Sequence, residues 1–403
     1  MFSGIYSMGI GTEDDTAFAF EGRWQEFMPI ALTNSLLNLV TLGIYQFWAT
    51  TRERRYLWSK TRFIDDKLEW TGKGLELFIG FLIAVAVFFV PIIGLQFLIQ
   101  ALALQGQGLL ATLAGLGFYF ILLYLTGLAI FRGLRYRLSR TSWHGIHGGS
   151  DNPGLHYGLS YFWKTLAGAL ALGLLIPWSM TKLWSERWNQ MSFGPHMFQS
   201  APEWQKLMKR YILCYLAPIL GFIGAAIAGL GSIGFGSASV LVLAAGIFFV
   251  SLYIILPLLA LAFYASFFRE MIGTLSLSTL DFRFTARTKA WFMLFLGNAG
   301  LWVLALVPAI ILIVSLGLAD SLVSVAPGSN PLLQNPGLFF PIVIAALIPL
   351  TFVGPFIRYR SWRFFIRHME ASGEVNLLTL TQSPTSDLKQ GEGLLDAFDM
   401  GAI

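Results

Sequence analysis

Three stretches of the chain, residues 74–131, 211–268 and 290–357, contain no Lys or Arg and are almost continuously apolar. A helix needs roughly 20 apolar residues to cross the hydrocarbon core. Each stretch therefore holds two such helices and a turn: 75–99 with 109–131, 211–230 with 240–268, and 291–318 with 338–357. The turns expected at 105–108, 231–239 and 319–337 carry no basic residue and one acid, Asp320. Runs of this length exclude a membrane β-barrel, whose strands alternate in short segments.

Two further apolar segments, 27–49 and 161–180, are flanked at both ends by basic or polar sequence. Most of the basic residues gather at the ends of the long stretches: Arg52, Arg54, Arg55, Lys60 and Arg62; Arg132, Arg135, Arg137 and Arg140; Lys206, Lys209 and Arg210; Arg269, Arg283, Arg287 and Lys289; Arg358, Arg360, Arg363 and Arg367. Lys and Arg are retained on the cytoplasmic side of membrane helices, so all of these groups are expected on that face. If both shorter segments crossed fully, the basic sequence after Met180 would lie opposite that before Trp143. One face is preserved if both enter and leave from the cytoplasm, as re-entrant or in-plane amphipathic segments. Each has a break that suits this course, Gly43 in the first and Gly173 with Pro177 in the second.

A different period appears in the polar connections. Phe18-x-Phe20-x-Gly22-Arg23, Leu68-x-Trp70-x-Gly72-Lys73 and Phe282-x-Phe284-x-Ala286-Arg287 alternate large apolar residues ahead of a small residue, a basic residue and a helix. Alternation of this kind predicts short strands, so small cytoplasmic β-hairpins are expected, one turning at Asp65-Asp66. Other phrases also recur. Arg55-Tyr56-x-x-Ser59-Lys60-Thr61-x-Phe63 sets beside Arg135-Tyr136-x-x-Ser139-Arg140-Thr141-x-Trp143 without a gap, and Leu42-Gly43-x5-Trp48 sets beside Leu172-Gly173-x5-Trp178. An array of similar units follows as an expectation. The fold class expected is an all-α polytopic membrane protein: six transmembrane helices as three hairpins, two re-entrant or interfacial segments, and short cytoplasmic β-hairpins. Its divisions are an N-terminal arm (1–26), a first membrane unit (27–142), a second (143–370) and a cytoplasmic tail (371–403).

Composition agrees with a membrane class. The chain has 403 residues, 56% hydrophobic and 12% charged, with a net charge of +5. In a soluble protein that charge raises nucleic acid as a partner; here it matches loops held beside anionic lipid head groups, and no nucleic acid is expected. The partners expected are membrane lipids, anionic ones on the cytoplasmic side, with a homo-oligomer left open. Cys214 is the single cysteine, so no disulfide forms within the chain. The acids Glu13, Asp14 and Asp15 precede the first basic residue, Arg23, the reverse of a signal-peptide n-region. No cleaved signal is expected. The tail is Ser/Thr-rich and then acidic, with Leu394, Leu395 and Phe398 on one helical face, and either docks on the basic surface or stays disordered.

Candidate chemistry is sparse. No Asp, Glu, Lys or Arg lies deep in the six long helices, whereas proton-coupled carriers keep one near the midplane. Glu76 is near an end, and the buried polar candidates are Gln96, Gln100 and Asn298. The sharpest cluster is Asn34, Asn38 and Thr41, which spacings of four and three put on one helical face, followed by Gly43, Tyr45 and Trp48. Such a segment either lines a solute path or meets head groups. Arg52, Arg55, Tyr56, Arg135 and Tyr136 form Arg-aromatic units that either anchor helices at the interface or build a cytoplasmic vestibule. The loop with His144, His147, Asp151 and His156 matches no standard zinc spacing, so no metal or cofactor is expected. There is no P-loop, HExxH, GxSxG or Rossmann fingerprint, and no enzymatic activity is expected.

At Asn34-x3-Asn38-x2-Thr41-Leu42-Gly43-Ile44-Tyr45-x2-Trp48-x3-Arg52-x-Arg54-Arg55-Tyr56-x4-Thr61 the chain resembles the YjgN-like family of bacterial inner-membrane proteins. Gly391-Glu392-Gly393-Leu394-Leu395-Asp396-Ala397-Phe398-Asp399 is similar to that family's C-terminal tail, and the resemblance covers almost the whole chain. It implies a bacterial inner-membrane address and carries over no activity or catalytic residue. The expected function is a channel or carrier for a small solute; the alternative is a non-transporting envelope protein that organises lipids or partner proteins through its basic aromatic face.

Overall fold

A computed structural model of the chain describes residues 5–8, 17–235, 238–315, 339–376 and 381. Asp320, the turn expected at 319–337, and Leu394, Leu395 and Phe398 of the tail lie outside the described residues. The protein is an integral membrane protein, largely helical, with four helical segments long and apolar enough to cross a membrane: Gly108–Arg140, Gln205–Ile227, Ala245–Gly273 and Thr288–Pro308.

The helices come in pairs. The first pair is short: α1 (Trp24–Val40) and α2 (Gln46–Ser59). Next come α3 (Gly74–Ala84) and α4 (Val90–Leu104), joined through a five-residue π turn, and α5 (Gly108–Arg140). A second short pair follows, α6 (Leu155–Leu170) and α7 (Ile176–Trp188). Then α8 (Gln205–Phe235) pairs with α9 (Ala238–Val250), which runs through another π turn into α10 (Leu256–Gly273). The last are α11 (Thr288–Ser315) and α12 (Phe339–His368). The turn expected at 231–239 is narrower than its sequence suggests, since helix runs to Phe235 and resumes at Ala238.

At about 1.5 Å per residue, α1 and α6 are each about 25 Å long, short of a span that also clears the head groups. Their turns use the same backbone. Leu42 and Gly43 stand at φ +51° and +91°, and Leu172 and Gly173 at +52° and +88°. Gly43 N reaches back to Asn38 O (2.7 Å) and Gly173 N to Gly168 O (2.8 Å), a glycine closure that caps the helix carbonyls.

Strands join the pairs. They are β1 (Ile5–Met8), β2 (Phe18–Phe20), β3 (Thr61–Phe63), β4 (Asp66–Lys67), β5 (Glu69–Trp70), β6 (Thr141–Trp143), β7 (Ile146–Gly149), β8 (Ser192–Phe193), β9 (His196–Ser200), β10 (Leu275–Leu277), β11 (Leu280–Phe284) and β12 (Met369–Asn376). They pair antiparallel in the order β1-β12-β11-β10-β9-β8-β7-β6-β5, beside a second sheet β2-β3-β4. Four two-residue turns make the hairpins, with Ile64, His144, Gly194 and Ser278 at positive φ. The turn expected at Asp65-Asp66 sits one residue earlier, because Phe63 pairs with Asp66 and leaves Ile64 and Asp65 as its centre.

The all-α expectation is thus corrected: the hairpins are not isolated but fuse into a nine-stranded sheet. The reason is topological. Both ends of every helix pair return to one side, so hairpins that are each two to five residues per strand lie edge to edge and satisfy one another's backbone groups. α1 starts from β2 and α2 ends in β3, and these strands pair; β7 and β8 do the same for α6 and α7. β12 also extends to Asn376, well into the segment expected as a tail.

The sheets hold an aromatic core. In β11, Leu280, Phe282 and Phe284 are buried while Asp281 and Arg283 face out. Phe63, Trp143, Phe198, Phe131, Trp184, Phe267 and Phe365 pack into the same cluster from other strands and helix ends. Trp143 of β6 donates to the Phe63 carbonyl of β3 (3.0 Å), tying the two sheets. Around this base the last helix returns to the first, where Ser35 donates to the Thr351 carbonyl (2.8 Å).

Candidate functional site

Asn34 and Asn38 share one face of α1, which turns inward, and Thr41 follows just past the helix end. Asn34 is fully buried, its Nδ2 donating to Ala49 O and to Glu53 Oε1, each at 3.2 Å. Two acceptors fix that nitrogen's orientation and send Oδ1 the other way. Oδ1 of Asn34, and that of Asn38 one turn on, are buried with no partner among the described residues. Thr41 ends the helix, donating to Leu37 O (2.7 Å) and accepting from Tyr45 N (3.0 Å). Tyr45 stacks on Trp48, and Trp48 lies against the start of α3, where a Cβ on Gly74 would come within 2.9 Å of its Cα. The candidate segment is therefore split: two asparagines point into the protein, and Tyr45 and Trp48 brace the next hairpin.

Sequence reading passed over Glu53. It is 1% exposed, and its Oε2 takes the Nε of Arg358 at 2.8 Å. The acid is embedded in the run Arg52-Glu53-Arg54-Arg55, which hides it in a basic surface unit. Its signal is spacing: Glu53 follows Thr50 by three and precedes Leu57 by four, all on the buried face of α2. Asn34, Glu53 and Arg358 thus join three helices, α1, α2 and α12. The second short hairpin has its own clip. Lys164, which holds the place of Asn34 when Leu172 is set on Leu42, pairs with Glu186 of α7, and Ser160 donates to the same carboxylate at 2.6 Å.

The Arg-aromatic units resolve into a clasp made twice. Tyr56 donates to Arg23 O (3.0 Å) and to Glu26 (3.4 Å), while Lys60 pairs with Glu26 (2.8 Å). Tyr136 donates to Glu76 (3.2 Å), and Arg140 pairs with Glu76 (3.1 Å). In each, a carboxylate in the first turn of one helix holds the last turn of another, where the helix dipoles favour both charges. Burial, then the Glu26 carboxylate, push the Tyr56 hydroxyl up to about 12. Lys60, first by its hydrogen bond and then by its charge, holds Glu26 below its ordinary range. That contribution is present above the ordinary carboxylate range and is lost as pH falls through the depressed folded value. Arg52 and Arg55 are exposed; Arg135 and Tyr136 are buried. Removing one hydroxyl from a buried clasp should cost about 1 kcal/mol. Tyr136→Phe is accordingly expected to lower the melting temperature in detergent more than Tyr56→Phe, whose ring is half-buried.

The remaining candidates scatter. Gln96 and Gln100 are exposed on α4, and Asn298 accepts from Arg360 Nε at 3.1 Å. His144 bridges two hairpins, Nε2 lying 3.0 Å from Asp65 Oδ1 and Nδ1 3.5 Å from Asp66 Oδ2. Among the described residues no three His, Cys, Asp or Glu side chains gather as a metal would need.

A family model described as bacterial protein of unknown function (DUF898) matches residues 15–397. The inner membrane protein YjgN of Escherichia coli O157:H7 is 25% identical over 238 residues, 52% of this chain and 58% of the relative. Its namesake in Salmonella typhimurium (strain LT2) is 32% identical over 130 residues, 32% of this chain and 30% of the relative. The chain thus spans little more than half the length of the first of these relatives. No solved structure matches.

Proposed function

Because this chain belongs to that bacterial family of unknown function, we propose that it is a multi-pass inner-membrane protein that organises anionic lipid around its cytoplasmic base, and is neither an enzyme nor a pore. In this reading three long hairpins make six spans, the two short hairpins are re-entrant, the sheet and both termini are cytoplasmic, and the units descend from one repeated element. The relatives' printed name supports the address.

The observation that carries the reading is the surface of the spans. Within the apolar core of the four candidate spans at most 11% of residues are buried, and in Thr288–Pro308 none is. A carrier encloses a path in protein; the residues of these helices are instead partly or fully exposed almost throughout. Below them, the packed aromatic core fills the space inside the sheets. A second reading, a channel or carrier working through the first short hairpin, draws on the two unmet asparagine oxygens.

One preparation separates the two. Protein in liposomes of phosphatidylethanolamine and phosphatidylglycerol is expected to retain phosphatidylglycerol preferentially after detergent extraction and to release no entrapped ions, sugars or amino acids. Protein-dependent release that Asn34→Ala and Asn38→Ala abolish, with no lipid preference, overturns the proposal in favour of the carrier.

A further inference from the structure

Two arginines meet at one serine where α8 and α10 approach the sheet, and a third stands just before α11. Arg210 Nη1 donates to the Ala262 carbonyl (3.0 Å) and to Ser266 Oγ. Arg269 Nη2 donates to the same oxygen (3.4 Å), and Ser266 itself donates to Ala262 O (3.2 Å). Arg210 and Arg287 both lie close enough to Arg269 to repel its charge.

Among the described residues none of the three forms an ion pair. The nearest acid in sequence, Glu270, is engaged elsewhere, accepting from Lys206 Nζ (3.2 Å) and Glu203 N (3.3 Å). Like charges held together without a counter-ion repel, the more so because Arg210 and Arg269 are both partly removed from solvent. Guanidinium forks match phosphate oxygens, and each arginine has five N–H donors of which the serine uses few. We infer that Arg210, Ser266, Arg269 and Arg287 form a site for the phosphate of an anionic phospholipid.

Position selects a lipid over a free anion. Arg210 lies near the start of one candidate span, Arg269 near the end of a second, and Arg287 directly before a third. The site is therefore at head-group level, with exposed Ile212, Leu213, Leu216, Met293 and Phe295 just above it to receive acyl chains.

The inference rests on the lipid-organising reading and is tested so that the two can fail separately. Full-length protein in nanodiscs of phosphatidylcholine with or without phosphatidylglycerol is followed by native mass spectrometry and by lipid-dependent melting. The wild type should hold phosphatidylglycerol and melt higher with it. Arg269→Gln and Ser266→Ala should each weaken that retention, by about fivefold for the lost charge, while Lys67→Gln, whose ammonium on β4 is paired with Glu21, leaves it unchanged. Arg287→Gln, at an exposed position outside any helix, gives the same readout should the two helix variants fail to fold. Equal retention by Arg269→Gln and Arg287→Gln overturns this site alone. A wild type without any preference for anionic lipid overturns both readings. Competition by millimolar inorganic phosphate, with no effect of acyl chains, would make the ligand a free anion and overturn the lipid assignment.

Discussion

Arg358→Met is expected to destabilise the protein by about 3 kcal/mol or more, because it strands the Glu53 carboxylate in a site that water does not reach. The two partners are unequal: Glu53 is 1% exposed and the Arg358 side chain 28%. Losing the acid leaves a guanidinium that still reaches solvent; losing the base leaves a buried anion with only the Asn34 amide for support. Glu53→Gln should therefore cost clearly less than Arg358→Met, and the double variant less than their sum, since it removes the stranded charge. Unfolding of the four proteins in mixed detergent, followed by tryptophan fluorescence and completed as a double-mutant cycle, measures all three differences. Additive single effects would show that the pair is not coupled. The same pair anchors the first short hairpin to the last helix, so Arg358→Met should also expose the turn at Leu42-Gly43 to protease.

What the sequence could reveal follows the range of each interaction. The helix pairs are written locally, in the unbroken apolar stretches between Lys73 and Arg132 or Arg210 and Arg269, and the breaks at Gly43 and Gly173 are written in a residue type that tolerates left-handed backbone. Strands such as Phe282-x-Phe284 were legible from alternation. Their union into one sheet was not, because the pairing of β9 with β10 joins residues some 75 positions apart and no single strand signals its neighbour. Within the candidate site the spacing of Asn34 and Asn38 located the right helix face but not its direction. A polar face on an apolar helix reads alike whether it meets solute, head groups or a buried acid on another helix, and the acid here was masked by three arginines around it.

Gly373→Val should have an effect of comparable size at the other end of the chain. The first half of β12 pairs with β11, Met369 to Ser372 against Phe284 to Asp281, and the second half with β1, Gly373 to Asn376 against Met8 to Ile5. Gly373 is the pivot between the two registers. It stands at φ +137°, a conformation closed to residues with a Cβ, and a Cβ there would strike the carbonyl of Thr279, a backbone group in the β10–β11 turn. Neither obstacle yields to a side-chain rotation. Strain of this kind costs about 1–3 kcal/mol before the clash is counted, so the strand should detach beyond Ser372 and take β1 with it. Hydrogen exchange at residues 5–8 should rise to that of an unpaired segment, with lower thermal stability. Gly300→Ala is the matched control: it sits inside α11 with nothing within 4 Å of the added Cβ, and a helix-favouring residue there should leave stability level or raise it. Unchanged protection of residues 5–8 in Gly373→Val would mean that the sheet edge is held by something other than the register switch at this glycine.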